Sequence, residues 1–168
     1  MLSAALTING WTLYAHPLFL EQLERLVAGV ERDKQRDPGS YFRKANAKLL
    51  KAIFTVAFER IPGDPTDKRY RLGGTLGDAN RHWFRDKFGN GRFRLFFRFD
   101  SKAKIIVYAW VNDANTLREY GAKSDAYAVF SRMLTDGNPP DGWDALVAAC
   151  QDPDSIKRLQ DASRAAET

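Results

Sequence analysis

Arginine, lysine and aromatic side chains alternate along HWFRDKFGNGRFRLFFRF, residues 82–99. Eight Lys/Arg fall between Arg81 and Lys104, opposed only by Asp86 and Asp100. Guanidinium groups grip phosphates as bidentate donors, and aromatic faces stack unpaired bases, so this composition suits RNA. RNA also carries its own nucleophile. When a 2′-hydroxyl attacks the adjacent phosphorus in line, charge grows on the phosphate, and preorganised cations stabilise it there. Cleavage therefore needs neither a metal nor a histidine from the chain. Lys87, set among cations, is a candidate for proton transfer, as are Tyr120 and Tyr127.

Such residues act together only if a scaffold gathers them. The period of two predicts a pair of antiparallel strands joined at Asn90-Gly91, because Asn-Gly tolerates the positive φ angles of a two-residue type I′ turn. In that register Gly89 faces Arg92, Lys87 faces Arg94, Arg85 faces Phe96 and Trp83 faces Arg98. Opposite residues share a face. Arg85, Lys87, Arg92, Arg94 and Arg98 then gather with Trp83 and Phe96, while Phe84, Phe88, Phe93, Leu95, Phe97 and Phe99 form an apolar side. A slip of one residue would bury guanidinium groups, which specifies the register.

The rest of the chain must cover the apolar side. Trp11 to Ala15 reads as a first strand, and Pro17 opens a helix to about Lys34 with Phe19, Leu23, Leu26, Val27 and Val30 inward. Asp37-Pro38 predicts the start of a second helix with Phe42, Ala45, Leu49, Ile53 and Val56 buried, ended by Ile61-Pro62-Gly63. Arg69 to Leu72 suggests a short strand before Gly73-Gly74-Thr75-Leu76-Gly77. That loop is a weak phosphate cradle, since no Gly-Lys-Ser/Thr follows. A third strand spans Lys104 to Val111, with Ile105, Val107, Ala109 and Val111 expected in the core and Tyr108, Trp110 and Asn112 on the cationic face. Ser124 caps a helix carrying Tyr127, Phe130 and Leu134, and a short helix with Trp143, Leu146, Val147 and Cys150 follows Pro139-Pro140. Beyond Asp152 a frayed, charged tail is expected.

The 168 residues fit one domain, expected over 1–150 with a tail at 151–168, and 44% hydrophobic residues suffice for a core. The net charge of +5 favours an anionic partner. It is concentrated centrally, because from Asp125 onward there are eight acids and four bases. No apolar run approaches a membrane span and no signal peptide opens the chain, so no membrane association and a cytoplasmic location are expected. One cysteine and two histidines leave little for a zinc or redox centre, and no cofactor is expected. Plainer readings stand beside the chemical ones: strand arginines serve as solvated edges, Trp110, Tyr120 and Tyr127 as packing, Asn112 and Asp113 as turn caps.

The stretches NGWTLYAHPLF, RKANAKLL, KFGNGRFRLFFR and WVNDANTLREYGAKSDAYAVFSRML resemble the YhaV toxins of bacterial PrlF–YhaV toxin–antitoxin systems, members of the RelE-like superfamily, continuously from Asn9 to about Trp143. The resemblance implies an α+β fold, with two N-terminal helices packed on a small antiparallel sheet and C-terminal helices. It implies an endoribonuclease that cuts mRNA, free or ribosome-bound, and arrests growth. A PrlF-like antitoxin is implied as the neutralising partner, and operator DNA is bound through that complex. Carried onto this sequence, the catalytic positions are Arg85 and Lys87, Arg94 after the turn, and the later pair Arg118 and Tyr120, where Trp-Val-Asn-Asp replaces the Gly-His-Arg type of some relatives. Trp83, Arg92, Arg98, Trp110, Asn112 and Tyr127 are the expected RNA contacts. The alternative reading is a non-catalytic RNA-binding or gyrase-directed toxin of the same fold.

Overall fold

The computed structural model describes residues 4–113, 116 and 122–167. Its centre is a five-stranded sheet of β1 (Leu6–Ile8), β2 (Trp11–Ala15), β3 (Phe84–Phe88), β4 (Phe93–Asp100) and β5 (Ile105–Val111), in the order β1-β2-β5-β4-β3. The hairpin register is as the alternation predicts, with Arg85 opposite Phe96 and Lys87 opposite Arg94. Asn90 and Gly91 take φ of 58° and 78°, the left-handed pair that a type I′ turn requires. A second Asn-Gly turn, at Asn9 (φ 52°) and Gly10 (φ 80°), closes β1 onto β2. That first strand was not expected from the sequence.

Two corrections concern the sheet. It is mixed rather than antiparallel, because β2 lies parallel to β5. Parallel neighbours need a long crossover, which the helices between β2 and β3 begin. The chain accordingly opens with strands, not helices. Second, a bulge lies in the β4–β5 ladder: Phe96 pairs with Trp110 but Phe97 with Tyr108, so Ala109 is an extra residue. The bulge exchanges the faces of the preceding residues. Ile106 and Tyr108 point to the helix-side core, where the Tyr108 hydroxyl donates to the Ala57 carbonyl, and Val107, Ala109 and Trp110 point to the other side.

α1 (Pro17–Arg36) begins at a proline, with His16 as its cap. Burial lowers the His16 pKa against the pull of Glu21, which keeps the imidazole neutral and able to accept from the Leu18 N–H at 3.1 Å. α2 (Ala45–Thr55) passes through a wider turn at Val56–Arg60 and ends in α3 (Ile61–Gly63). The second helix thus starts at Ala45 and not at Pro38, because Lys44 is extended (ψ 158°). Phe42, expected in the buried stripe, is instead 54% exposed. In place of the strand expected over 69–72 there is a single helical turn at Lys68–Tyr70 and one bridge, Arg71 to Phe84.

α4 (Ala126–Thr135) is capped by Asp125, one residue after the expected Ser124, and buries Tyr127, Phe130 and Leu134. α5 (Trp143–Ala148) follows. The frayed end expected beyond Asp152 is α6 (Pro153–Glu167), which buries Leu159 and Ala162 in the helix-side core and forks Arg158 onto Glu24 of α1 at 2.6 Å. Each face of the sheet therefore has its own cover: α1, α2 and α6 on one side, α4 and α5 on the other.

Candidate active site

Arg85 on β3 and Arg94 on β4 point to the α4 side and meet at the first turn of that helix. There the Tyr127 hydroxyl oxygen accepts from Nε of both arginines, each at 3.0 Å. Asp125 fixes the tyrosine, since its carboxylate accepts from the Tyr127 N–H (3.0 Å) and the Ala128 N–H (3.3 Å). Arg85 Nη1 also donates to the carbonyls of Arg69 (3.1 Å) and Arg71 (2.9 Å), and Arg94 Nη1 to that of Gly91 (2.6 Å). Both residues are buried, at 8% and 6% exposure. Among the described residues all of the hydrogen-bond acceptors of these two guanidinium groups are neutral, one phenol and three carbonyls, and Asp86, beside Arg85 on β3, is instead bonded by Arg60. Among the described residues Nη2 of each arginine has no hydrogen-bond partner. That arrangement is an electropositive centre held in a low-dielectric place, where an oxyanion is stabilised more than in water.

Asn112 supports it from below. Its side-chain oxygen accepts from the Arg94 N–H (2.6 Å), and its amide donates to the carbonyls of Arg92 and Thr116 (3.0 Å each). Asn112, expected as an RNA contact, is buried with both ends of its amide engaged within the chain, and it holds the Arg94 backbone in place. Lys87, opposite Arg94, and Arg92 at the turn are exposed. Arg92 lies over the Phe93 ring at 5.3 Å and bonds the Gly89 carbonyl at 3.2 Å. Arg118 and Tyr120 lie outside the described residues.

The other expected contacts sit elsewhere. Trp83 has no exposed surface and Trp110 almost none. Phe96, Phe130 and Trp110 form a stack, the first two at 4.2 Å and Phe130 against Trp110 at 5.9 Å, with Trp83 edge-on to Phe130 at 5.0 Å. These rings bury a second core and offer no face to a base, and Tyr108 is buried on the opposite side. Arg98 lies four residues along β4 from Arg94, about 14 Å away. It is wedged between Trp83 (5.6 Å) and Trp143 (5.3 Å) and donates to the Asp141 carbonyl at 2.6 Å. Burial lowers its pKa despite the Asp141 charge. Asp141 also receives the Trp83 indole N–H at 2.8 Å and meets His82 Nε2 at 2.6 Å. Arg98, Trp83 and His82 thus form a structural cluster that ties α5 to the sheet. Sequence reasoning missed Asp141 and Asp125; an aspartate just before an apolar helical run was the available signal for the latter.

Among the described residues no helix is long and apolar enough to cross a membrane. Comparison with known proteins gives a family match over residues 13–151, described as "toxin with endonuclease activity, of toxin-antitoxin system". The Ribonuclease toxin YhaV of Escherichia coli K12 and the Toxin YhaV of Escherichia coli O157:H7 and O6:H1 are each 51% identical over 141 residues, covering 83% of this chain and 92% of theirs. No solved structure matches. An electropositive centre on a toxin-sized α+β scaffold, a match over most of the chain and half-identical relatives agree: the chain belongs to the YhaV family of endonuclease toxins of toxin–antitoxin systems.

Proposed function

We propose that this chain is an endoribonuclease toxin that cuts mRNA by metal-independent transphosphorylation. The observation that carries the reading is the convergence of Arg85 and Arg94 on the Tyr127 hydroxyl, their other hydrogen-bond acceptors among the described residues being backbone carbonyls. A scissile phosphate beside this pair has its non-bridging oxygens stabilised by the guanidinium groups as charge develops. The 2′-oxygen bonds to phosphorus as its proton leaves to a base, and the bond to the 5′-oxygen breaks as that oxygen gains a proton. The products are 2′,3′-cyclic phosphate and 5′-hydroxyl ends. Tyr127, whose hydroxyl both arginines bond, and Lys87, opposite Arg94 in the ladder, are the candidates for these proton transfers, with Arg118 and Tyr120 assigned by family resemblance. Arg92 and Lys87, exposed at the hairpin, guide the strand. The printed name of the Escherichia coli K12 relative, a ribonuclease toxin, supports RNA as substrate.

The finer partners belong to the same reading. A PrlF-like antitoxin neutralises the chain in the cytoplasm, the pair co-represses its operon, and the mRNA is met free or on the ribosome. The scaffold is a RelE-like variant, supported by α1 and α2 following the strand β2 that lies beside β5. The test is Arg85→Ala, with thermal melting as a control for folding. The reading predicts RNA affinity within a few-fold of the parent and loss of toxicity. Toxicity that survives substitution of both Arg85 and Arg94 contradicts it and favours a binding or gyrase-directed toxin.

A further inference from the structure

On the outer side of the helix layer, away from the arginine pair, a groove of about 740 Å³ runs between α1, α2 and the end of α6. Its floor is apolar: Val27, Val30, Leu50, Phe54 and Ala166. Tyr41 and Phe42 stand at its mouth, and Phe42 is the large apolar side chain left exposed among the described residues. A smaller hollow of about 360 Å³ shares Lys48, Lys51 and Thr55 with the groove and reaches Phe88 and Gly89 at the hairpin turn. The two together make one track from Phe42 to the tip of β3.

The rim of this track is basic. Lys48 and Lys51 lie one helical turn apart on α2 and Lys44 caps that helix, and all three are exposed. Lys34 is held 5.6 Å over the Tyr41 ring and Arg43 5.4 Å over Phe42, which displays both cations beside the apolar floor. Glu31 and Glu59 are the acids of the lining, outnumbered by Lys34, Lys48 and Lys51 within it. Exposed apolar surface rimmed by charge marks a protein contact. An RNA strand would satisfy the rim but leave Val27, Val30 and Leu50 uncovered, whereas a peptide with carboxylates on one side and apolar residues at helical spacing on the other satisfies both.

We infer that this groove docks an acidic amphipathic segment of the cognate antitoxin, an inference that rests on the proposed toxin–antitoxin pairing. The segment lies on the helix layer and ends at Gly89, next to the turn whose Gly91 carbonyl holds Arg94. The antitoxin therefore grips the toxin from the face opposite the arginine centre, and the RNA site and the grip are separable surfaces.

The test uses the purified toxin and the full-length antitoxin encoded beside it. Binding is measured by calorimetry for the parent, Phe42→Glu, the double variant Lys48→Glu/Lys51→Glu, and Arg92→Glu at the hairpin rim. All these positions are exposed, and melting temperatures check folding. Both groove variants are expected to weaken antitoxin binding by about thirty-fold or more, the effect of losing an interface hot spot, while cutting RNA at the parental rate. Arg92→Glu is expected to spare antitoxin binding. Parental affinity in both groove variants overturns the inference, as does weakened RNA cutting with antitoxin binding unchanged, which would make the groove an RNA track. A parent that binds no antitoxin overturns it too. A parent that cuts no RNA but loses antitoxin through the groove variants leaves the inference standing and defeats the nuclease reading alone.

Discussion

The two faces of the sheet are built from the same strands but to different ends. On the helix side, Leu13, Leu95, Phe97 and Ile106 pack against Phe19, Leu23 and Ile53, and the polar groups that enter are closed off. Tyr108 donates to a helix carbonyl, and Asp86 is held by Arg60 at 2.7 Å. On the α4 side the stack of Phe96, Phe130 and Trp110 adjoins two guanidinium groups that no packing argument requires. Desolvating a charge costs several kcal/mol unless hydrogen bonds return most of it. One face is thus given to stability, and the other holds charge where it acts strongly. Departures from plain apolar packing concentrate at functional sites, and this is where the chain departs.

That contrast can be broken by substitution. Phe97→Ala, in the helix-side core, is expected to cost about 3–5 kcal/mol in a urea titration. Its folded fraction should still cut RNA, and selective loss of activity without loss of stability would blur the division. Arg94→Ala should show the opposite balance, a fall of about 10²–10³ in cleavage rate on a protein that still melts cooperatively. Tyr127→Phe keeps the ring and removes the acceptor shared by the two arginines. Leaving both Nε–H groups unpaired should lower stability by about 1–3 kcal/mol, read by denaturant unfolding, and slow cleavage as the guanidiniums lose register.

Two smaller effects sharpen the picture of the α5 end of the second core. Burial pushes the Asp141 carboxyl up, but the hydrogen bonds from Trp83 and His82 and the charges of His82 and Arg98 outweigh it and hold the carboxyl below its usual range. A depressed carboxyl stabilises the fold above its unfolded pKa of about 3.9 and loses that contribution as pH falls through the folded value. The difference in urea midpoint between the parent and Asp141→Asn should therefore be present at pH 6 and shrink below about pH 4. An unchanged difference at both would remove Asp141 as the tie between α5 and the sheet. Burial pushes the Cys150 thiol up to about 12, and the thiol donates to the Leu146 carbonyl. Iodoacetamide at pH 8 should label it only on unfolding, and rapid native labelling would mean that α5 does not close the second core.

The apolar face was legible in the sequence because alternation and the Asn90-Gly91 turn together fix both register and side. The same dipeptide at Asn9-Gly10 carried the signal for β1 and went unused. Alternation says which residues share a face but not what covers it. Trp83 and Trp110 therefore read as stacking platforms, although helices drawn from residues beyond 125 bury them. The Ala109 bulge is a backbone feature that leaves no mark in the composition, so Tyr108 was assigned to the wrong side. α6 escaped because Leu159 and Ala162 are too few to announce a buried stripe, and its packing depends on α1. The candidate site residues Arg85, Arg94 and Tyr127 were each visible, but their convergence depends on the docking of α4.

The most direct measurement is to incubate the purified protein with a long unstructured RNA in excess EDTA and map the new ends. Arg94→Ala and a 2′-deoxy-substituted RNA run alongside, and translating ribosomes are added in a second arm. The account predicts cuts with 2′,3′-cyclic phosphate and 5′-hydroxyl ends in at least one arm, absent from both controls. Cuts that survive Arg94→Ala or the missing 2′-hydroxyl, or no cuts in either arm, would contradict it.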